Sequence, residues 1–264
     1  MKKSKITLSI FLVLMIALTS LFIANPKEAV ADNVSFRAVW VASVYNLDYP
    51  KKATTDAATL KSQADSILDN CKKMGLNAVI LQVRPSADAL YRSDIFPWSK
   101  YLTGSAGTAP ADNFDPLSYW VSEAHKRGIE LHAWINPYRI TKGGDKEFNS
   151  LPSTDPAKVH PDWVVKYTDG NYYFNPGIPE VRKLIESGAA EIARNYDVDG
   201  IHMDDYFYPG TDFDDTATFA TYGQGFGTVA DFRRDNVNLL VKEMNEQLHA
   251  CYAAFFSDIR WYTL

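Results

Sequence analysis

The pattern that most constrains this chain is an alternation. Four times a short apolar run is followed by a stretch with helical spacing. The runs cover residues 37–44 (RAVWVASV), 78–83 (AVILQV), 130–135 (ELHAWI) and 198–203 (VDGIHM). The helical stretches cover 56–74, 116–127, 179–196 and 229–249. In the first of these, Leu60, Ala64, Ile67, Leu68 and Cys71 fall on one face. Thr55 or Asp56 is placed to cap its start and Gly75 to end it. Pro116 opens the second helix, and Gly128 stands just past its end. Strands joined through helices lie parallel in one sheet. The connections are unequal: returns from helix to strand take a few residues, whereas 84–115 and 136–177 are long. That asymmetry predicts an α/β fold of the (β/α)8 barrel type, in which the long loops build the active face. A doubly wound sheet expects a glycine-rich turn after its first strand. Here that turn reads Tyr45, Asn46, Leu47, Asp48.

The first 31 residues stand apart. Lys2, Lys3 and Lys5 precede an uncharged, mainly apolar stretch at 6–24, and Ala29-Val30-Ala31 offers an A-x-A site. The pattern predicts a signal peptide cleaved before Asp32, and so a secreted or cell-envelope location outside the cytoplasm. Membrane attachment is expected only if this segment stays uncleaved. Its removal takes away four Lys and one Glu, moving the net charge from -5 to -8. A chain so acidic is not drawn to nucleic acid or other polyanions by general electrostatics. Cys71 and Cys251, 180 positions apart, carry no metal signature. Cys71 reads as a buried apolar residue.

Polar and aromatic groups gather where the strands end. The first strand delivers Trp40, Ser43 and Tyr45, and the second Gln82 and Arg84. The third delivers His132, Trp134, Asn136, Tyr138 and Arg139. The fourth delivers His202, Asp204, Asp205 and Tyr206. Side chains alternate along a strand. His202 and Asp204 therefore share the face taken as the barrel interior, with Ile201 and Met203 against the helices. Val39, Ile80 and Ala133 are also expected to fill the interior. Asp204 and Asp205 are the candidate catalytic carboxylates, since paired carboxylates can divide acid, base and nucleophile work. Trp40, Tyr45, Gln82, Arg84, His132, Asn136, Tyr138, Arg139, His202 and Tyr206 are the candidate substrate-binding set. Aromatic rings suit the apolar faces of sugars, and amide, carboxylate and guanidinium groups suit their hydroxyls. The expected partner is a polysaccharide or oligosaccharide, and neither a cofactor nor a metal is assigned. Asp204, Asp205, Asp212, Asp214 and Asp215 could hold Ca²⁺, though their spacing is not that of an EF-hand.

Four blocks carry a family resemblance: FRAVWVASV at 36–44, LQVRP at 81–85, LHAWINPYR at 131–139 and DGIHMDDYFYP at 199–209. In this order they resemble the glycoside-hydrolase-like 10 family, a group of secreted or envelope-attached bacterial TIM-barrel proteins. The resemblance runs from about residue 36 to 249. It implies hydrolysis of glycosidic bonds, in some members within peptidoglycan glycan strands, with Asp204 as the fourth-strand catalytic carboxylate. A closed barrel takes eight βα units, and four are legible. Residues 251–264 (CYAAFFSDIRWYTL) do not resemble the family's fifth strand. The expectation is therefore a fragment, the N-terminal half of a barrel, cut short or shifted in frame near Ala250, inactive alone and lacking the general acid. A carbohydrate-binding protein without hydrolysis and a metal-assisted hydrolase are the alternative readings.

Overall fold

The computed structural model describes residues 35–204 and 207–255. Ser35 and Phe36 belong to a separate N-terminal unit and carry no regular structure. Residues 1–34, where a signal peptide is expected, Asp205, Tyr206 and residues 256–264 lie outside the described residues, as do the expectations attached to them. No described helix is long and apolar enough to cross a membrane.

From Arg37 onward the described residues build a parallel sheet flanked by helices. Strand β1 (Ala38–Val41) is followed by helix α1 (Ala57–Lys73), β2 (Ala78–Arg84), helix α2 (Pro116–Lys126) and β3 (Glu130–Ile135). A small antiparallel hairpin comes next, β4 (Val164–Lys166) with β5 (Tyr172–Phe174). Helix α3 (Pro179–Asn195), strand β6 (Gly200–His202) and helix α4 (Val229–Phe255) complete the order. The main sheet runs β1-β2-β3-β6, all neighbours parallel. Strand order thus follows chain order without reversal. This is the winding of a (β/α) barrel, and a doubly wound sheet would reverse at a switch point.

The helix ends behave as their residues dictate. Asp56 caps α1 by accepting from the Thr59 N–H at 2.9 Å, and Asp115 caps α2 by accepting from Ser118 at 3.2 Å. Gly75 and Gly128 take φ of +70° and +68° just past these helices, where a Cβ would be strained. Cys71 is buried on the inner face of α1, and both cysteines are free.

The register sorts the sheet's side chains onto two faces. Val41, Leu81, Ala133 and Ile201 align in one row, which packs with Leu60, Leu68, Leu117, Trp120, Val181 and Ile185 of the helices. Each fully buried Val, Leu or Ile among them contributes about 1.5–3 kcal/mol. Ile201 and Met203 pack on the helix side, as alternation predicts. Val39 and Ala133 pack there too, against the expectation that they fill the interior. Of the three only Ile80 lies on the opposite face, in the row Trp40, Ile80, His132, Gly200.

Two local expectations are corrected. The first strand stops at Val41 rather than Val44, because the Ala42 carbonyl accepts from Asp48 and Tyr49 and turns the chain back. The span 136–177, expected to be loop, contains the β4–β5 hairpin. Its turn holds Asp169 and Gly170, the latter at φ +83°.

Candidate active site

Strand β6 ends at His202, and Asp204 follows two residues later, exposed and on the same side of the chain. Its Oδ1 accepts from the Trp134 indole N–H at 2.5 Å and from the Asn136 amide at 3.3 Å. Asn136 is buried, and its Oδ1 accepts from Gln82 Nε2 at 2.5 Å. Gln82, also buried, accepts at Oε1 from the backbone N–H groups of Ser43 (2.9 Å) and Val44 (3.0 Å). The ends of β1, β2, β3 and β6 are thus joined by hydrogen bonds that finish on one exposed carboxylate. An oxygen receiving two N–H donors is matched to the ionised form of a carboxyl group.

One indole, Trp134, meets this carboxylate, and a second, Trp40, meets the neighbouring His202. Trp40 Nε1 donates to His202 Nε2 at 3.3 Å, which assigns the remaining imidazole proton to Nδ1. The rings of Trp40 and Trp134 stand edge-on to His202, at centroid distances of 6.0 and 6.3 Å. His202 is buried, and burial pushes its pKa down against the opposing pull of Asp204, so the ring is neutral at pH 7. Trp40 keeps 49% of its surface exposed. Rings open to solvent beside a carboxylate form a surface on which the apolar face of a sugar can lie.

His132 sits one layer deeper, its Nε2 3.1 Å from Glu130. Its ring crosses β6 where Gly200 leaves room: a Cβ at Gly200 would stand 2.5 Å from His132 Nδ1. This glycine is required by close approach, not by a turn.

The structure thus brings together Trp40, Gln82, Asn136, His202 and Asp204, with His132 beneath them. Trp134 completes the group; its place at a strand end is visible in the sequence, but its role as a donor to Asp204 is not. Tyr45 stands on the β1 rim, 59% exposed, with its ring edge-on to Tyr101. Asp205 and Tyr206 lie outside the described residues.

Three candidates are placed elsewhere. Arg84 is fully buried, its guanidinium 3.8 Å from the Phe96 ring centroid and close against Gly188 of α3. The cause is a register shift between Gln82 and Arg84, which pairs Arg84 with Ile135 and turns it to the helix side. Tyr138 is buried against Phe207. Arg139 is buried, and its Nε donates to the Pro85 carbonyl at 2.9 Å. These three support the loops rather than the open face.

Two of the aspartates that could have joined a Ca²⁺ site are engaged by other side chains, and Asp205 lies outside the described residues. Asp215 is buried in a two-pronged ion pair with Arg233, at 2.8 and 2.7 Å. Asp212 accepts from the Tyr167 hydroxyl. Among the described residues no group of three or more His, Cys, Asp or Glu is placed to hold a metal ion.

The sequence profile of the glycosyl hydrolase-like 10 family matches residues 35–255. The chain belongs to the glycosyl hydrolase-like 10 family. Among its curated relatives, glycosyl hydrolase YngK of Bacillus subtilis is 46% identical over 234 residues, which are 87% of this chain and 44% of that protein. Glycosyl hydrolase DigH of Escherichia coli is 40% identical over 240 residues, 84% of this chain and 54% of that protein. The chain spans about half the length of these relatives. Among solved structures, α-L-fucosidase isoenzyme 2 from Paenibacillus thiaminolyticus aligns at 15% identity with a TM-score of 0.48, covering 83% of this chain and 31% of that one. The glycosyl hydrolase-like 10 match takes in all four strand ends and the relay between them.

Proposed function

We propose that this chain carries the strand-end carboxylate and part of the glycan cleft of a glycoside hydrolase. Its substrate is a bacterial polysaccharide, of which peptidoglycan glycan strands are the first to test. The observation that carries the reading is Asp204: an exposed carboxylate just past the end of β6, held by the N–H donors of Trp134 and Asn136, with the exposed indole of Trp40 on the adjacent His202. Asp204 serves as nucleophile or base, because its donors match the ionised form and leave no reason for it to carry the leaving-group proton. Neutral His202 orients Trp40 and lies beside the carboxylate without supplying a charge. Family membership and the names of the two relatives support glycoside hydrolysis. The pattern of residues 1–31 supports export across the cytoplasmic membrane, which places the enzyme where such glycans are found.

The test is Asp204→Asn in the full-length parent protein, assayed beside the unaltered parent on peptidoglycan glycan strands and on α-glucans. Loss of a catalytic carboxylate lowers turnover by several orders of magnitude while leaving thermal unfolding in place. Turnover within a few-fold of the unaltered protein refutes the role of Asp204. Glycan binding retained by a protein that shows no hydrolysis in either form favours a carbohydrate-binding function.

A further inference from the structure

We propose that Gln82 is a positioning residue that sets the direction of every hydrogen bond in the relay ending on Asp204. The inference rests on the reading of Asp204 as the reacting carboxylate only for its catalytic consequence.

An Asn or Gln amide can in general face either way, and its surroundings decide which end is oxygen. Here the decision is made at the start of the relay. The backbone N–H groups of Ser43 and Val44 can only donate, and both point at one atom of Gln82, at 2.9 and 3.0 Å. That atom must be Oε1. The NH2 end of Gln82 must then face Asn136, at 2.5 Å, and the atom it meets must be the Asn136 oxygen. The Asn136 NH2 is thereby turned to Asp204, at 3.3 Å. Gln82 and Asn136 are both buried, so water does not compete for either amide.

The turn after β1 serves the same end. Val44, Tyr45 and Asn46 form a tight turn, closed by Asn46 N–H on the Ser43 carbonyl and Leu47 N–H on the Val44 carbonyl, in which Tyr45 and Asn46 hold φ of +56° and +55°. Non-glycine residues in this left-handed region carry backbone strain, which surrounding structure must hold in place. Asn46 supplies the hold: its Nδ2 donates to the Pro50 carbonyl at 2.8 Å and to the Tyr101 carbonyl at 2.6 Å. The turn thus converges two backbone donors on Gln82, and the direction they impose travels through two amides to the carboxylate.

The decisive variant is Gln82→Glu in the full chain. Glutamate has the shape of glutamine and accepts from Ser43 and Val44 equally well, but it offers Asn136 an acceptor in place of a donor. Above the pH at which this carboxyl ionises, where the spectra are recorded, it has no proton to donate, and the Asn136 amide must reverse to meet it and present its oxygen to Asp204. In ¹⁵N-labelled protein, the Asn136 side-chain NH2 signals of the unaltered chain are expected to be protected from exchange. In Gln82→Glu they shift as their partner changes from Asp204 to the introduced carboxylate, while the backbone spectrum and thermal transition stay in place. Unchanged Asn136 side-chain signals in the folded variant overturn the proposal. If Gln82→Glu does not fold, Asn136→Asp gives the answer. With the direction set from the β1 side, the Gln82 NH2 remains protected against the new carboxylate, and its loss of protection overturns the proposal. In the full-length parent protein, assayed on peptidoglycan glycan strands, Gln82→Glu is expected to lower kcat tenfold or more at unchanged KM. A reversed Asn136 amide with kcat unchanged leaves the relay standing and refutes the catalytic reading of Asp204.

Discussion

Asp155 offers a test of how this fold handles buried charge. It lies in the long segment after β3, at the start of the short helix Pro156–Val159, and is fully buried. Its Oδ1 caps that helix by accepting from the Ala157 N–H at 2.8 Å, while Oδ2 meets no hydrogen-bond donor among the described residues. Burial, helped by the nearby Asp88 carboxylate, pushes its pKa up from 3.8 to about 7. The folded protein therefore binds a proton that the unfolded chain releases over this interval. The sign is fixed: stability falls as pH rises from about 4 to about 7, and the full cost is present above pH 7. A displacement of about three pH units corresponds to up to about 4 kcal/mol. For a domain of this size that is on the order of 10 °C in melting temperature. Asp155→Asn keeps the capping oxygen and removes the ionisation. Its amide adds a roughly constant offset, so the informative quantity is the difference between the two proteins. Melting temperatures of both forms, recorded from pH 4 to pH 8, should diverge steadily in favour of the variant and level off above pH 7. Parallel profiles across that range would refute the argument, because they would mean that Asp155 ionises alike in the folded and unfolded chains.

Two further substitutions probe the open face. Trp134→Phe keeps the ring beside His202 but removes the N–H donated to Asp204. Loss of one hydrogen bond to a charged group, about 1.5–3 kcal/mol, should slow glycan-strand hydrolysis about 10–100-fold, and steady-state kinetics with rates near those of the unaltered protein would count against that bond. Gly200→Ala places a methyl group 2.5 Å from His132 Nδ1. Such overpacking should cost about 1–3 kcal/mol, to be read from denaturant unfolding, and a stability equal to or above that of the unaltered protein would show that the ring has room to move.

Much of the fold is legible in the sequence because its periods are clean. β2 and β3 are found at nearly their full length, since both are short, mainly apolar runs bounded by turn or loop residues. The starts of α1 and α2 are legible because Asp56 is a side-chain cap and Pro116 a first-turn residue. What alternation cannot supply is a break in its own count. Arg84 is one residue past Val83 and should face the cleft with Gln82, but the bulge between them moves it to the helix side. Tyr138 and Arg139 fail for a related reason: beyond Ile135 the chain has left the strand, and period two no longer says where a side chain points. The hairpin was within reach, because Asp169-Gly170 between two β-rich runs is a turn signal.

The relay was hidden for a different reason. Ser43, Gln82, Asn136 and Asp204 are each visible as polar residues at strand ends, and each taken singly has an ordinary explanation as a satisfied buried group. Only the register of four strands places them in one line, and only the fixed polarity of two backbone N–H groups gives that line a direction. The sheet's two faces make the same point in composition. The row Val41, Leu81, Ala133, Ile201 is what a helix-covered face requires. The neighbouring positions carry Trp40, Gln82, Trp134 and His202, which would be costly in a core unless their polar atoms were paired. Trp40 pairs with His202 and Gln82 with Asn136, while Trp134 and Asn136 both donate to the exposed oxygen of Asp204. A face built only for packing has no use for that arrangement, since apolar side chains of similar volume would fill it at lower cost.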